Sequence, residues 1–246
     1  MLPEKIHIGT SGWSYKHWAD IFYPNGLKPD KYLEYYTSQF SCVELNSSFY
    51  NLPRKQTAEG WLNRTPESFF FCPKMSRHIT HEKMLTGTDD AIEKFFGVFE
   101  IIKNKLGPIL IQLPPGLSYD QSLISCFFDI LNHHGNYRFA IEIRNKSWIN
   151  DDFFELLNQK NIGFVIADSG RRYPYHEAVT SDFVYLRLHG REQLYATDYH
   201  EDELKQFANR IHEWLGENKE VWVFFNNDFH GFAVKNARQL IEMVSQ

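Results

Sequence analysis

Three short stretches place ionisable side chains where a strand would otherwise be apolar. In VYLRLHG, residues 184–190, Arg187 and His189 stand two apart, as do Glu142 and Arg144 in AIEIR and Glu44 and Asn46 in CVELN. Strand side chains alternate between faces, so each polar pair shares one face. Val184, Leu186 and Leu188, like Ile141 with Ile143 and Val43 with Leu45, take the other. An unpaired charge removed from water costs several kcal/mol, so these groups are either paired inside the protein or await a ligand. Carboxylates and an imidazole can move protons, while Lys and Arg can clamp an anion through charge-assisted hydrogen bonds. On that chemistry Glu44, Glu142, Asp168 and His189 are the candidate catalytic residues. Thr10, Trp13, Asn46, Lys74, Arg77, His81, Gln112, Arg144, Trp148, Arg187 and Asn226 are the candidate substrate-binding residues.

The elements that must position them can be read from hydrophobic pattern. KIHIG, SCVELN, FFFCPK, PILIQLP, RFAIEIR, IGFVIAD, FVYLRLH and EVWVFFNN are eight apolar, β-branched or aromatic runs. The gaps carry helical stripes: Ile92, Phe95, Phe96, Phe99, Ile102 and Leu106 in one, with Thr88 or Asp89 as a start and Gly107 as a stop. Further stripes run through Leu123, Phe127, Ile130 and Leu131, through Phe153, Phe154, Leu156 and Leu157, and through Leu204, Phe207, Ile211 and Trp214. A last helix is expected over 233–244. Strand and helix alternating at about 30 residues per unit is parallel βαβ construction. Eight units in 246 residues predict an α/β fold, one (β/α)8 TIM-like barrel domain over residues 1–246, rather than an open doubly wound sheet. The SGRRYPYHEAVTSD segment between strands six and seven contains Pro174 and no helical stripe, and reads as an irregular connection.

Lys74, Gln112, Asp168, Asn226 and Asn227 also fall at C-terminal strand ends, the rim where barrel enzymes place their catalytic groups. The strand ends and their loops hold twelve Lys or Arg against ten Asp or Glu, while the rest of the chain holds fourteen against twenty-one. A mouth more positive than its body suits an anionic ligand. The competing reading is a buried network in which Glu44, Glu142 and Asp168 neutralise Lys74, Arg144 and Arg187 and close the barrel top. No cofactor is firmly implied. A divalent metal on Glu44, Glu142, Asp168 and His189, with His78 and His81 as further ligands, stays open, although three cations share those strand ends and no compact ligand motif is present.

RHITH offers an anion-binding or proton-transferring loop, and GTSGW offers hydroxyl and backbone N–H donors after strand one. Trp13, Tyr15, Trp18, Phe49, Tyr50, Trp148 and Tyr175 crowd the rim and could stack on a sugar or a base. Three cysteines at wide spacing form neither a disulfide framework nor a zinc motif. No stretch approaches a membrane span, so no membrane partner is expected, and the N-terminus has no signal-peptide pattern, so a cytoplasmic location is expected. The net charge of −5 argues against a broad nucleic-acid surface.

The motifs GTSGWSYKHW with FYP, FSCVELNSSFYNLP, TPESFFFCPKMSRHITH, GPILIQLPP, FAIEIRNKSW, ADS, VYLRLHG and FFNNDFHGFAVKNA run from residue 9 to residue 237. Together they resemble the YecE-like family, domain of unknown function 72. The resemblance implies a single TIM-like barrel and carries no assigned activity, so the site assignments rest on the strand ends. The expected function is an enzyme of the hydrolase or isomerase–lyase type, using acid–base chemistry on a small anionic or polyhydroxylated molecule. One alternative is a nucleic-acid or nucleotide-binding barrel, endonuclease-like, using Arg171, Arg172, Arg191 and RHITHEK. Another is a non-catalytic metabolite-binding protein. Oligomeric state is not set by the sequence.

Overall fold

A computed structural model describes residues 4–135, 137–170, 172–191 and 195–246. Eight parallel strands are formed: β1 (Ile6–Thr10), β2 (Cys42–Leu45), β3 (Phe70–Pro73), β4 (Ile109–Gln112), β5 (Phe139–Glu142), β6 (Gly163–Asp168), β7 (Phe183–Leu188) and β8 (Glu220–Phe225). Their order is β3-β2-β1-β8-β7-β6-β5-β4. The barrel closes between β3 and β4 through single bridges, Phe71 with Leu106 and Lys74 with Leu110, and the Met75 N–H donates to the Leu110 carbonyl at 2.8 Å.

The strand alternation explains both cores. Val184, Leu186 and Leu188 face outward and join Ile6, Ile8, Val43, Leu45, Ile141 and Ile143 in the layer beneath the helices. The opposite set fills the barrel: Cys42, Cys72, Leu110, Ala140, Val165, Ala167, Phe183, Tyr185, Trp222 and Phe224 form a separate cluster. Residues one step further along those inward faces are Glu44, Glu142 and Arg187, so the strands lift the polar groups onto an apolar plug.

The outer ring comprises α1 (Tyr32–Thr37), the single turn α2 (Ser47–Tyr50), α3 (Lys55–Asn63), α4 (Asp89–Phe99), α5 (Gln121–Asn132), α6 (Asp151–Lys160), α7 (Glu201–Gly216) and α8 (Phe232–Val244). The expected stripes are their buried faces; Leu204, Phe207, Ile211 and Trp214, for instance, are buried on α7. One boundary differs. The helix after residue 88 ends at Phe99 and continues as a tighter 3-10 turn over Glu100–Lys105, so Gly107 is not its cap. A Cβ at Gly107 would lie 2.5 Å from Cys72 Sγ and 2.7 Å from the Trp222 ring, so this glycine admits a close approach into the barrel.

Among its described residues the β6–β7 connection has no helix, as its composition predicts. It packs in place of one: His176 stacks on Phe154 of α6 at 4.9 Å and meets Phe164 edge-on, while Thr180 Oγ1 accepts from the Phe164 N–H and donates to the Ile162 carbonyl.

Candidate functional site

Arg187 is the centre of the strand-end network and is 1% exposed. Its Nε and Nη2 donate to the two oxygens of Glu44 at 2.9 and 2.7 Å, a bidentate fork, and its Nη1 donates to Glu142 Oε2. Glu44 also accepts from Ser11 Oγ at 2.8 Å and from the Tyr185 hydroxyl at 2.9 Å. Glu142 further accepts from Gln112 Nε2 at 3.2 Å, and Arg144 pairs with its other oxygen while lying 3.6 Å above the Tyr173 ring. Burial would raise both carboxyl pKa values, but it is outweighed. The charge and hydrogen bonds of Arg187 keep Glu44 below the usual range, and Arg144 with Arg187 keeps Glu142 well below it. The opening sequence puzzle therefore resolves for Arg187: its charge is paired within the barrel.

Above this floor opens a cavity of about 510 Å³, lined by Tyr15, Asn46, Phe49, Tyr50, Lys74, Arg77, His81, Gln112, Arg187, His189, Tyr195, Asn226 and Asp228. Three of these are cations and one is a carboxylate. Lys74 Nζ donates to Gln112 Oε1 at 3.0 Å and sits 4.0 Å from the Phe49 ring centroid. Neither Lys74 nor Arg77 has a carboxylate within ion-pair distance among the described residues. Burial, reinforced by the Arg187 charge, lowers the Lys74 pKa to about 7. Burial and Arg187 likewise take His189 down to about 4, so its ring is neutral. Nδ1 meets Asn226 Nδ2 at 3.0 Å and Nε2 stands 3.8 Å from Glu142 Oε1. His81, lowered to about 4 by burial and by Lys74, shares a hydrogen bond with Thr80 Oγ1. Burial raises the Asp228 pKa.

RHITH forms a one-turn π-helix over His78–Glu82 that turns His81 to the cavity and leaves His78 outside, paired with Glu82 at 2.9 Å. Eight expected residues line the cavity: Asn46, Lys74, Arg77, His81, Gln112, Arg187, His189 and Asn226. Two others, Trp148 and Thr10, are not part of that lining. Trp148 is fully buried, its Nε1 donating to the Leu117 carbonyl at 2.7 Å, because it anchors the loop after β5. Thr10 is also fully buried, and its hydroxyl is spent on Tyr36 and the Gly12 carbonyl.

Asp168 stands apart from the cavity lining, held by Arg191 Nε at 2.7 Å, and Arg191 also pairs with Glu203. Of the basic set expected to meet nucleic acid, Arg191 is exposed while holding these two carboxylates, Arg172 is exposed, and Arg171 lies outside the described residues. Glu44 and Glu142 lie outside the lining and hold Arg187, and Arg144 pairs with Glu142. Trp13 lines a neighbouring chamber. Two cavity residues missed from sequence are Tyr195 and Asp228. Asp228 directly follows the NN of β8 and could have been included, whereas Tyr195 sits in an irregular loop with no periodic signal.

The donor set does not fit a divalent cation. Glu44 and Glu142 direct their oxygens at guanidinium groups, and among the described residues no three His, Cys, Asp or Glu side chains converge on one point. No described helix is long and apolar enough to cross a membrane.

The family model described as "Protein of unknown function DUF72" matches residues 7–246. The UPF0759 protein YunF of Bacillus subtilis is 28% identical over 97% of this chain and 94% of its own. The crystal structure of a DUF72 family protein from Thermotoga maritima superposes with a TM-score of 0.88 at 31% identity, covering 98% of this chain and 99% of that one. A xylose isomerase-like TIM barrel protein from Mycobacterium smegmatis, solved in complex with magnesium, gives 0.57 at 11% identity over 88% of each chain, a likeness of fold.

Proposed function

The chain belongs to the DUF72 family of proteins of unknown function, and from that premise we propose that it is an enzyme binding a small anionic or polyhydroxylated compound in the barrel mouth, with Lys74 as the proton-transfer group. The observation that carries this reading is the set of Lys74, Arg77 and Arg187 around one cavity of about 510 Å³ whose lining holds a single carboxylate, Asp228. Arg187 is already paired with Glu44 and Glu142, so the unmet positive charge comes from Lys74 and Arg77, which have no carboxylate partner among the described residues.

The floor supplies preorganisation. Arg187, fixed by two carboxylates, offers a positive edge that need not reorganise when negative charge develops on a substrate oxygen. Neutral Lys74 can take a proton at near-neutral pH, and its acceptance of that proton is helped by an anionic ligand beside it. The neutral His189 ring and the Gln112 and Asn226 amides orient hydroxyl or carbonyl groups. Acid–base chemistry of the isomerase–lyase or hydrolase type follows from those roles.

The test is a thermal-shift screen of sugar phosphates, sugar acids and their parent neutral sugars, repeated with Arg77→Ala and Lys74→Met. An anionic member should stabilise the wild type, and Arg77→Ala should weaken it about tenfold, the loss of one charge-assisted contact. That ligand should then be turned over by the wild type, with kcat reduced at least a hundredfold in Lys74→Met. Binding indifferent to Arg77, or no binding by any anion, would overturn the anion site. Tight binding with an unaltered ligand would make the protein a sensor instead of an enzyme.

A further inference from the structure

The main cavity has a side chamber. A second void of about 320 Å³ lies between Trp13, Tyr15, Tyr50 and Trp61, and its lining includes the serines of the GTSGWS turn. Tyr15, Asn46 and Tyr50 line both voids, so the two meet across these side chains. Their character differs sharply. The main cavity adds Lys74, Arg77 and Arg187 to its aromatic rings; the chamber has both tryptophans, Trp13 and Trp61, and no carboxylate, amine or guanidinium among the described residues.

Asn46 marks the junction. It occupies the N-cap position of α2, where an asparagine ordinarily accepts a hydrogen bond from the first turn, yet it makes no such bond. Among the described residues its Oδ1 is buried without any donor. The Asn46 side chain thus stands in the wall shared by the two voids without being fixed by a bond through its Oδ1. Tyr50 forms the other side of the junction and is 71% exposed, an aromatic ring held outside the core.

We propose that the ligand is a two-ring glycosidic anion: a phosphorylated or carboxylated sugar seated in the cationic cavity, joined to a second ring that stacks in the aromatic chamber, with the linkage passing between Tyr15, Asn46 and Tyr50. The apolar faces of sugar rings match the walls supplied by Trp13, Tyr50 and Trp61, and the exposed Ser14 and Ser47 of the same lining offer hydroxyls to those of a sugar. This rests on the anion reading of the main cavity and deepens it.

The experiment measures Kd by calorimetry for a panel of monosaccharide phosphates and uronic acids against disaccharides carrying the same anionic sugar. At least one two-ring member should bind tenfold or more tightly than its one-ring counterpart. That gain should disappear in Trp13→Ala and in Trp61→Leu, which line the chamber and not the main cavity, with one-ring binding unchanged; circular dichroism spectra matching wild type would show that both variants fold. Equal affinity for one-ring and two-ring compounds, or a gain that survives both substitutions, overturns the chamber while leaving the anion site standing. Failure of every anion to bind overturns both.

Discussion

At the scale of single residues, the mouth contains one charged group that the protein retains at a cost. Lys74 is 8% exposed and has no carboxylate partner among the described residues, so protonating it there is unfavourable, and its pKa falls to about 7. Replacing it with the similarly shaped Met removes that penalty. Lys74→Met should stabilise the fold by roughly 2–4 kcal/mol at about pH 6.5, measured by urea unfolding, while eliminating turnover. A loss of stability would mean that Lys74 is a structural cation. Arg187 should behave in the opposite way. Its removal strands Glu44 and Glu142 in the barrel, and Arg187→Met is expected to cost about 3–5 kcal/mol. For that reason a binding defect in an Arg187 variant would not identify a ligand contact, whereas one in exposed Arg77 would. Sequence alternation correctly brought Glu44, Glu142, Arg187 and His189 to one face. It could not tell a paired charge from a waiting one, because Glu44 and Arg187 are 143 positions apart in the chain and the decision depends on which partner each meets.

At the scale of elements, the strands were legible because their two faces have different chemistry, and the long helices because α5, α6 and α7 each bury a three-and-four stripe. Loops carried less information. Trp148 and Thr10 have the composition of ligand contacts, yet Trp148 bonds the loop after β4 through the Leu117 carbonyl and Thr10 bonds Tyr36 of α1, and no periodicity reveals that. The close contact between β1 and β2 was equally hidden: a Cβ on Gly9 would fall 2.2 Å from the Cys42 carbonyl oxygen. Gly9→Ala must therefore separate those strands, and a loss of about 2–4 kcal/mol is expected, because backbone cannot yield as a flexible side chain would. By comparison, Asp120→Ala removes the side-chain cap of α5, a 2.9 Å bond from the Leu123 N–H, and should cost only about 1 kcal/mol. Chemical denaturation of the two variants side by side would test whether the first interior glycine matters more than a surface cap.

At the scale of the whole molecule, burying so many ionisable groups in one barrel makes stability a function of pH with a recognisable shape. Below neutrality, His189 and His81 are depressed from 6.5 to about 4 in the fold. The unfolded chain binds their protons first, so stability is lost as pH falls from about 6.5 through 4, and the depressed Glu44 and Glu142 extend the loss to lower pH. Above neutrality Lys74 acts. Between its folded value of about 7 and its ordinary 10.5 the unfolded chain again holds the extra proton, so stability rises with pH. The rise ends where Cys42, Cys72 and the buried tyrosines Tyr36 and Tyr185 enter, since burial pushes their pKa values well above the ordinary 9.0 and 10.0 and the unfolded chain loses those protons first. The stability maximum should therefore lie near pH 8–9, above the usual range for proteins. Urea midpoints at about pH 5, 6.5 and 8.5 should increase in that order, with roughly 1–2 kcal/mol gained over the last interval. In Lys74→Met the last interval should be flat while the acid limb is retained. A wild-type profile that is already flat above about pH 6.5 would show that Lys74 keeps its proton in the fold, and the general-base role argued for it would fall with that result.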